Sequence, residues 1–102
     1  MQVLKIRGRD RGSPPVCYYS LAVASKMITV NQWGVLVDGI HSETLRRSYR
    51  DSGKIHGTHI GRDVFFTEKN LQDMHYEVDV NKYHVPDEYV VWLPEEEYAL
   101  HG

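Results

Sequence analysis

The residues with the most chemistry to offer lie in one stretch, Lys54-Ile55-His56-Gly57-Thr58-His59-Ile60-Gly61-Arg62-Asp63. Two histidines close together, with His41 and Asp63 near in sequence, are the donor types that hold a divalent metal. Zinc motifs use two spaced ligand pairs, and one pair stands here, so no metal site is assigned. The same loop suits phosphate. Its glycines let backbone N–H groups approach an anion, and His56, His59 and Arg62 bring charge. The spacing fits neither a Walker A loop nor a dinucleotide fingerprint. A loop of solvated imidazoles is the plainer alternative.

A second group is basic. Arg46 and Arg50 are four apart in Ser42 to Ser52, and Arg47 lies alongside. On a helix they share a face. Like charges so placed invite an anion, and Tyr49 between them is a ring able to stack on a base. Lys5, Arg7, Arg9 and Arg11 alternate near the N-terminus as a strand would to show charge on one side. The anion- or partner-binding set is therefore Arg7, Arg9, Arg46, Arg47, Tyr49 and Arg50. The anion is either an external partner or the protein's own acidic residues.

Those acids are concentrated downstream. Residues 1–62 carry net charge +6 and residues 63–102 carry −8, so the total of −2 hides a dipolar chain. Glu77 and Asp79 share one face of an expected strand. Paired carboxylates do acid–base work or hold a hard metal, and a solvated strand face looks the same. No Ser-His-Asp order and no metal-hydrolase helix motif occurs, so no catalytic residue is named. The single cysteine, Cys17, rules out an internal disulfide and fits a reducing compartment, the cytoplasm. No apolar run approaches a membrane span, and the N-terminus lacks the apolar stretch of a secretory signal. Seven tyrosines against two phenylalanines favour interfaces over a deep apolar core.

The elements that position these groups follow from pattern. Gln2 to Arg7 and Val16 to Leu21 read as strands. Ser20 caps a helix ending near Gly34, although Met27 to Val37 also reads as a hairpin. Ser42 caps a helix over Glu43 to Asp51, with Gly53 at C′. Lys54 to Asp63 reads as irregular. Val64 to Thr67 is a strand and Thr67 caps a turn of helix over Glu68 to Met74. Tyr76, Val78 and Val80 alternate with acids as a half-buried strand. Tyr89 to Leu93, between Pro86 and Pro94, reads as a central or two-sided strand with Trp92 buried.

The order of pieces has a parallel. Val16-Cys17-Tyr18-Tyr19-Ser20, a helix, Val35-Leu36-Val37-Asp38-Gly39-Ile40, Val64-Phe65-Phe66-Thr67-Glu68 and His75-Tyr76-Glu77-Val78-Asp79-Val80 together resemble small ADP-ribosyltransferase-fold proteins, RNA 2′-phosphotransferases included. The resemblance spans about two thirds of the chain. It implies an enzyme acting on a nucleotide or an RNA 2′-phosphate. Where that family carries a histidine on its first strand, this chain has Tyr18 or Tyr19, which points to a non-catalytic relative. A pocket joining Tyr19, His56 and Glu68 would favour the enzyme.

The expectation is one α+β domain over residues 1–102, a mostly antiparallel sheet of about five strands with two or three short helices. The expected function is a small cytoplasmic binding or regulatory protein. Its partner is a protein first and a nucleic acid second. It uses no cofactor and no membrane, and a dimer setting basic residues of one copy against acids of another is open.

Overall fold

Ser20 ends a strand and starts a helix. Its Oγ accepts the Val23 backbone N–H at 3.3 Å, which satisfies one of the orphan donors of a helix start. The computed structural model describes residues 3–6, 16–82 and 90–93. In it, strand β1 (Val3–Ile6) and β2 (Val16–Ser20) lead into helix α1 (Leu21–Met27) and a short strand β3 (Ile28–Val30). Helix α2 (Ser42–Asp51), strands β4 (Thr58–Ile60) and β5 (Asp63–Phe66), helix α3 (Glu68–Asp73), β6 (Glu77–Val78) and β7 (Val90–Leu93) follow.

The protein is α+β. Its larger sheet has the order β4-β5-β2-β1-β7, antiparallel except where β7 runs parallel to β1, and β3 pairs antiparallel with β6 in a second sheet. The helices bring apolar faces together with β5 and β6. Ala24, Ile28, Leu45, Tyr49, Phe66, Leu71, Met74 and Tyr76 form one buried cluster, and Val3, Val23 and Met27 another. Truncating a buried aromatic such as Phe66 costs about 3–5 kcal/mol, a large part of the stability of a domain this size.

Several boundaries differ from the sequence pattern. Helix α1 stops at Met27, not near Gly34. The β-branched run Ile28-Thr29-Val30 prefers extended backbone and pairs with β6. Asn31 then nucleates a turn, its Oδ1 accepting the N–H groups of Trp33 and Val35, both at 3.0 Å. Gly34 takes φ +79° there, and Val30 bridges to Leu36. The helix and hairpin readings of this segment are thus each realised in part.

At α2 the cap is His41 rather than Ser42. His41 Nδ1 accepts the Glu43 N–H at 3.1 Å, the work a serine oxygen would do. Lys54 to Asp63 is not irregular throughout, since Thr58 and the residues after it form a hairpin with β5. Gly61, at φ +66°, and Arg62 make its two-residue turn. The strand at Tyr76 is cut to Glu77–Val78, and Val80 is exposed. The chain turns at Asp79, whose N–H donates to Met27 O and whose Oδ1 accepts from Asn81. β7 stands at one end of the described sheet, beside β1, rather than at its centre. The burial of Trp92 and the arm Arg7, Arg9 and Arg11 lie outside the described residues.

A polar knot ties the Asn31 turn to α2 and the residue before β6. The Tyr76 hydroxyl donates to Gln32 Oε1 at 2.6 Å and stands 2.6 Å from Ser48 Oγ, which is 2.5 Å from the same Oε1. Burial pushes the Tyr76 phenol above its ordinary value, and the Ser48 hydrogen bond opposes part of that. A raised folded pKa contributes stability that is whole below the unfolded value of about 10 and is lost as pH rises through the folded one. Tyr76→Phe should therefore cost about 1 kcal/mol at neutral pH and leave a flatter alkaline limb in melts followed against pH. An alkaline limb as steep as the parent's would exclude Tyr76 as its source.

Gly57 is placed by close packing. A Cβ there would meet Tyr49 Cε1 at 2.6 Å and Val64 Cγ2 at 3.1 Å. Gly57→Ala should destabilise the fold by about 1–3 kcal/mol, read as a lowered denaturation midpoint. A midpoint equal to the parent's would show that Tyr49 is not held there.

Candidate anion-binding face and cleft

Helix α2 separates two chemistries by spacing. Leu45 and Tyr49, four apart, face inward and are buried; Arg46, Arg47 and Arg50 are exposed. Glu43, in the first turn, and Arg50, in the last, both suit the helix dipole. Glu43 also reaches Arg46, at 3.5 Å between exposed groups. Such a pair contributes little in water. Among the described residues, no ion pair joins the three arginines to the acids beyond residue 62.

Tyr49 departs from the sequence expectation. It is only 4% exposed, so its ring is not offered for stacking on a base. It packs edge-on against Phe66, with centroids 5.4 Å apart and planes at 87°. Its hydroxyl emerges between α2 and β4 and lies 2.7 Å from His59 Nε2. Burial holds the phenol above its ordinary value.

That contact sets His59 at a cleft of 430 Å³ between α2, the β2–α1 junction and the β4–β5 hairpin. Arg46 enters from α2, His59 from β4 and Arg62 from the hairpin turn. Asp63 lies beside Arg62, and Leu21 and Val64 give an apolar wall. Two guanidiniums and an imidazole against one carboxylate make the lining net positive.

Of the residues singled out from sequence, the structure therefore brings Arg46, His59 and Arg62 together. Arg47 and Arg50 continue the basic face outside the cleft. His56 does not line it. That side chain is half-buried, and its Nδ1 is enclosed without a hydrogen-bond partner among the described residues. His41 serves as a helix cap. Among the described residues no three His, Cys, Asp or Glu side chains converge as metal donors. Glu77 stays on its short strand and Asp79 falls beyond its end, so they no longer share a strand face. The Tyr19 phenol is pushed up to about 12, chiefly by burial, then by Cys17 and Glu68.

Two features were legible in the sequence only in part. Asp63 and the β2–α1 junction reach the cleft only through tertiary pairing. The Asn31 turn also presents Trp33, 72% exposed, and Leu36, 83% exposed. The Asn31-Gln32-Trp33-Gly34 run was the available signal for it. Among the described residues no helix is long and apolar enough to cross a membrane. No family model matches this chain, and neither a curated protein nor a solved structure is significantly similar to it.

Proposed function

We propose that this chain is a binding module that engages an anionic partner through the outer face of α2 and the adjoining cleft. One observation carries the reading. Arg46, Arg47 and Arg50 stand exposed on one helix whose opposite face is fixed in the core. A rigid helix holds the charges at set spacing, Arg46 and Arg50 about 6 Å apart along the axis. On a polyanion such charges displace its condensed counterions. The partner is an acidic protein in the first instance and a nucleic acid in the second. The exposed Trp33 and Leu36 support the protein, because large exposed apolar groups mark interaction surfaces.

Arg47→Ala with Arg50→Ala removes charge without touching core or cleft. That variant should melt like the parent. It should bind poly-glutamate and a single-stranded oligonucleotide about tenfold more weakly at low salt, with the salt slope reduced by about two. Binding of both probes at parental strength would reject the face. Oligonucleotide binding without poly-glutamate binding would reverse the order of partners.

A second reading is a compact protein of the ADP-ribosyltransferase fold, catalytic or not. The observation favouring it is that the cleft opens where β2 passes into α1, with Ser20 at the junction. The resemblance places its first strand and following helix there. Incubation with nicotinamide dinucleotide and a 2′-phosphorylated RNA tests it. Release of nicotinamide above background is the result this reading requires of an active enzyme, and its absence leaves only a non-catalytic relative.

A further inference from the structure

The cleft is built differently from the open face of α2. Its cations come from three elements and converge, where those of the face lie in a row. Arg46 belongs to α2, His59 to β4 and Arg62 to the β4–β5 turn. Asp63 caps the positive charge of the lining at one unit with His59 neutral and two with it protonated. That suits one dianionic phosphoryl group and disfavours a di- or triphosphate. A phosphomonoester carries close to two charges at neutral pH and three acceptor oxygens. Paired guanidiniums match such a group by bidentate hydrogen bonds.

His59 is prepared for the same ligand. The buried Tyr49 phenol stays protonated through the neutral range, and its hydroxyl is 2.7 Å from Nε2. With His59 neutral and the phenol donating to Nε2, the ring hydrogen is on Nδ1. With His59 protonated, both ring nitrogens carry hydrogen. In that tautomer and in the protonated ring alike, Nδ1 is a donor, as an anion site requires.

The surroundings suit a peptide as the carrier. Leu21 and Val64 offer an apolar wall to the carbon stem of a side chain. β4, which carries His59, is the outer strand at its end of the described sheet. An extended peptide can lie along an outer strand and set one side chain into an adjacent pocket.

Resting on the reading that this basic surface binds anions, we propose that the Arg46–His59–Arg62 cleft recognises a phosphorylated side chain of a partner protein. Tyr49 acts as a positioning residue through His59.

The test uses the full chain and two short peptides, glycine-flanked phosphoserine and glycine-flanked phosphotyrosine, with their unphosphorylated forms and adenosine monophosphate beside them. Titration calorimetry should show at least one phosphopeptide bound about tenfold or more tightly than its unphosphorylated form. Arg46→Ala and Arg62→Ala should each erase about that factor. Which phosphopeptide binds tells an alkyl from an aryl phosphate, and either result upholds the site. Tyr49→Phe should weaken binding, and nitrogen NMR of His59 should show the neutral ring losing its single tautomer, a change that loss of packing alone would not produce.

Equal affinity for phosphorylated and unphosphorylated peptides would overturn the proposal. So would binding of adenosine monophosphate with no binding of either phosphopeptide. Parental phosphopeptide affinity in the Arg46→Ala and Arg62→Ala variants would overturn the placement. The two readings separate cleanly. Loss of polyanion binding in the Arg47→Ala and Arg50→Ala variant, with no phosphopeptide binding by the parent, keeps the basic face and discards the phosphoryl site.

Discussion

The burial of Tyr49 is the constraint on which the functional surface depends. It is the residue by which α2 is fastened to the β4–β5 hairpin. Its ring meets Phe66 edge-on, its flank fills the space left by the missing side chain at Gly57, and its hydroxyl reaches His59. Arg46 lies three residues before it on the same helix, and Arg62 lies on the hairpin turn. The distance between those two arginines is therefore set by an aromatic contact that neither of them makes. Removing a buried ring of this size costs about 3–5 kcal/mol, so the helix cannot be released from the hairpin without a large loss of stability. Such a joint fixes the backbone on each side of the cleft, and a fixed backbone lowers the ordering cost that binding carries.

What the sequence made legible is what local chemistry decides. Ser20 and Thr67 as caps, Gly53 after α2 and the α+β class all follow from residues within a few positions of the feature. The Asn31 turn shows the limit. A helical pattern and a hairpin pattern overlapped there, and pairing of β3 with β6, nearly fifty residues on, settled where the helix stops. His41 displaced Ser42 as a cap because an imidazole nitrogen is as good an acceptor as a hydroxyl. Tyr49 is the instructive miss. Its four-residue spacing from Leu45 marks it as core, yet Arg46, Arg47 and Arg50 surround it in sequence and suggest a place on the basic face. The cleft was legible only in part: His59 and Arg62 share one loop, but Arg46 and the β2–α1 junction lie more than ten residues from it along the chain.

Among the described residues, an ion pair crosses between the basic and the acidic half. Two of the three ion pairs among the described residues are local, Arg46 with Glu43 and Lys69 with Asp73, each one helical turn apart. The third, Lys82 with Asp38 at 2.6 Å, joins distant positions, and it holds the Asp38 carboxyl below its ordinary range. It runs opposite to the general trend, a base of the acidic half meeting an acid of the basic half. Arg47 and Arg50 thus remain in water on an ordered helix. Exposed pairs at a protein surface add little to stability, so the Glu43–Arg46 pair does not account for three arginines on that face.

The tyrosines narrow the chemistry further. Burial raises the phenols of Tyr49 and Tyr76 and takes that of Tyr19 to about 12. A phenol held protonated donates a hydrogen bond and does not act as a base near neutral pH. Tyr49 is accordingly suited to orient His59 rather than to exchange its own proton with a ligand. What the cleft then presents is two fixed cations, one oriented imidazole and one carboxylate at the edge. General acid–base work asks for a group poised to gain or lose a proton against the reacting atom. Recognition of a phosphoryl group asks for donors that keep their hydrogens, a condition the Tyr49–His59 contact meets where the phenol is the donor.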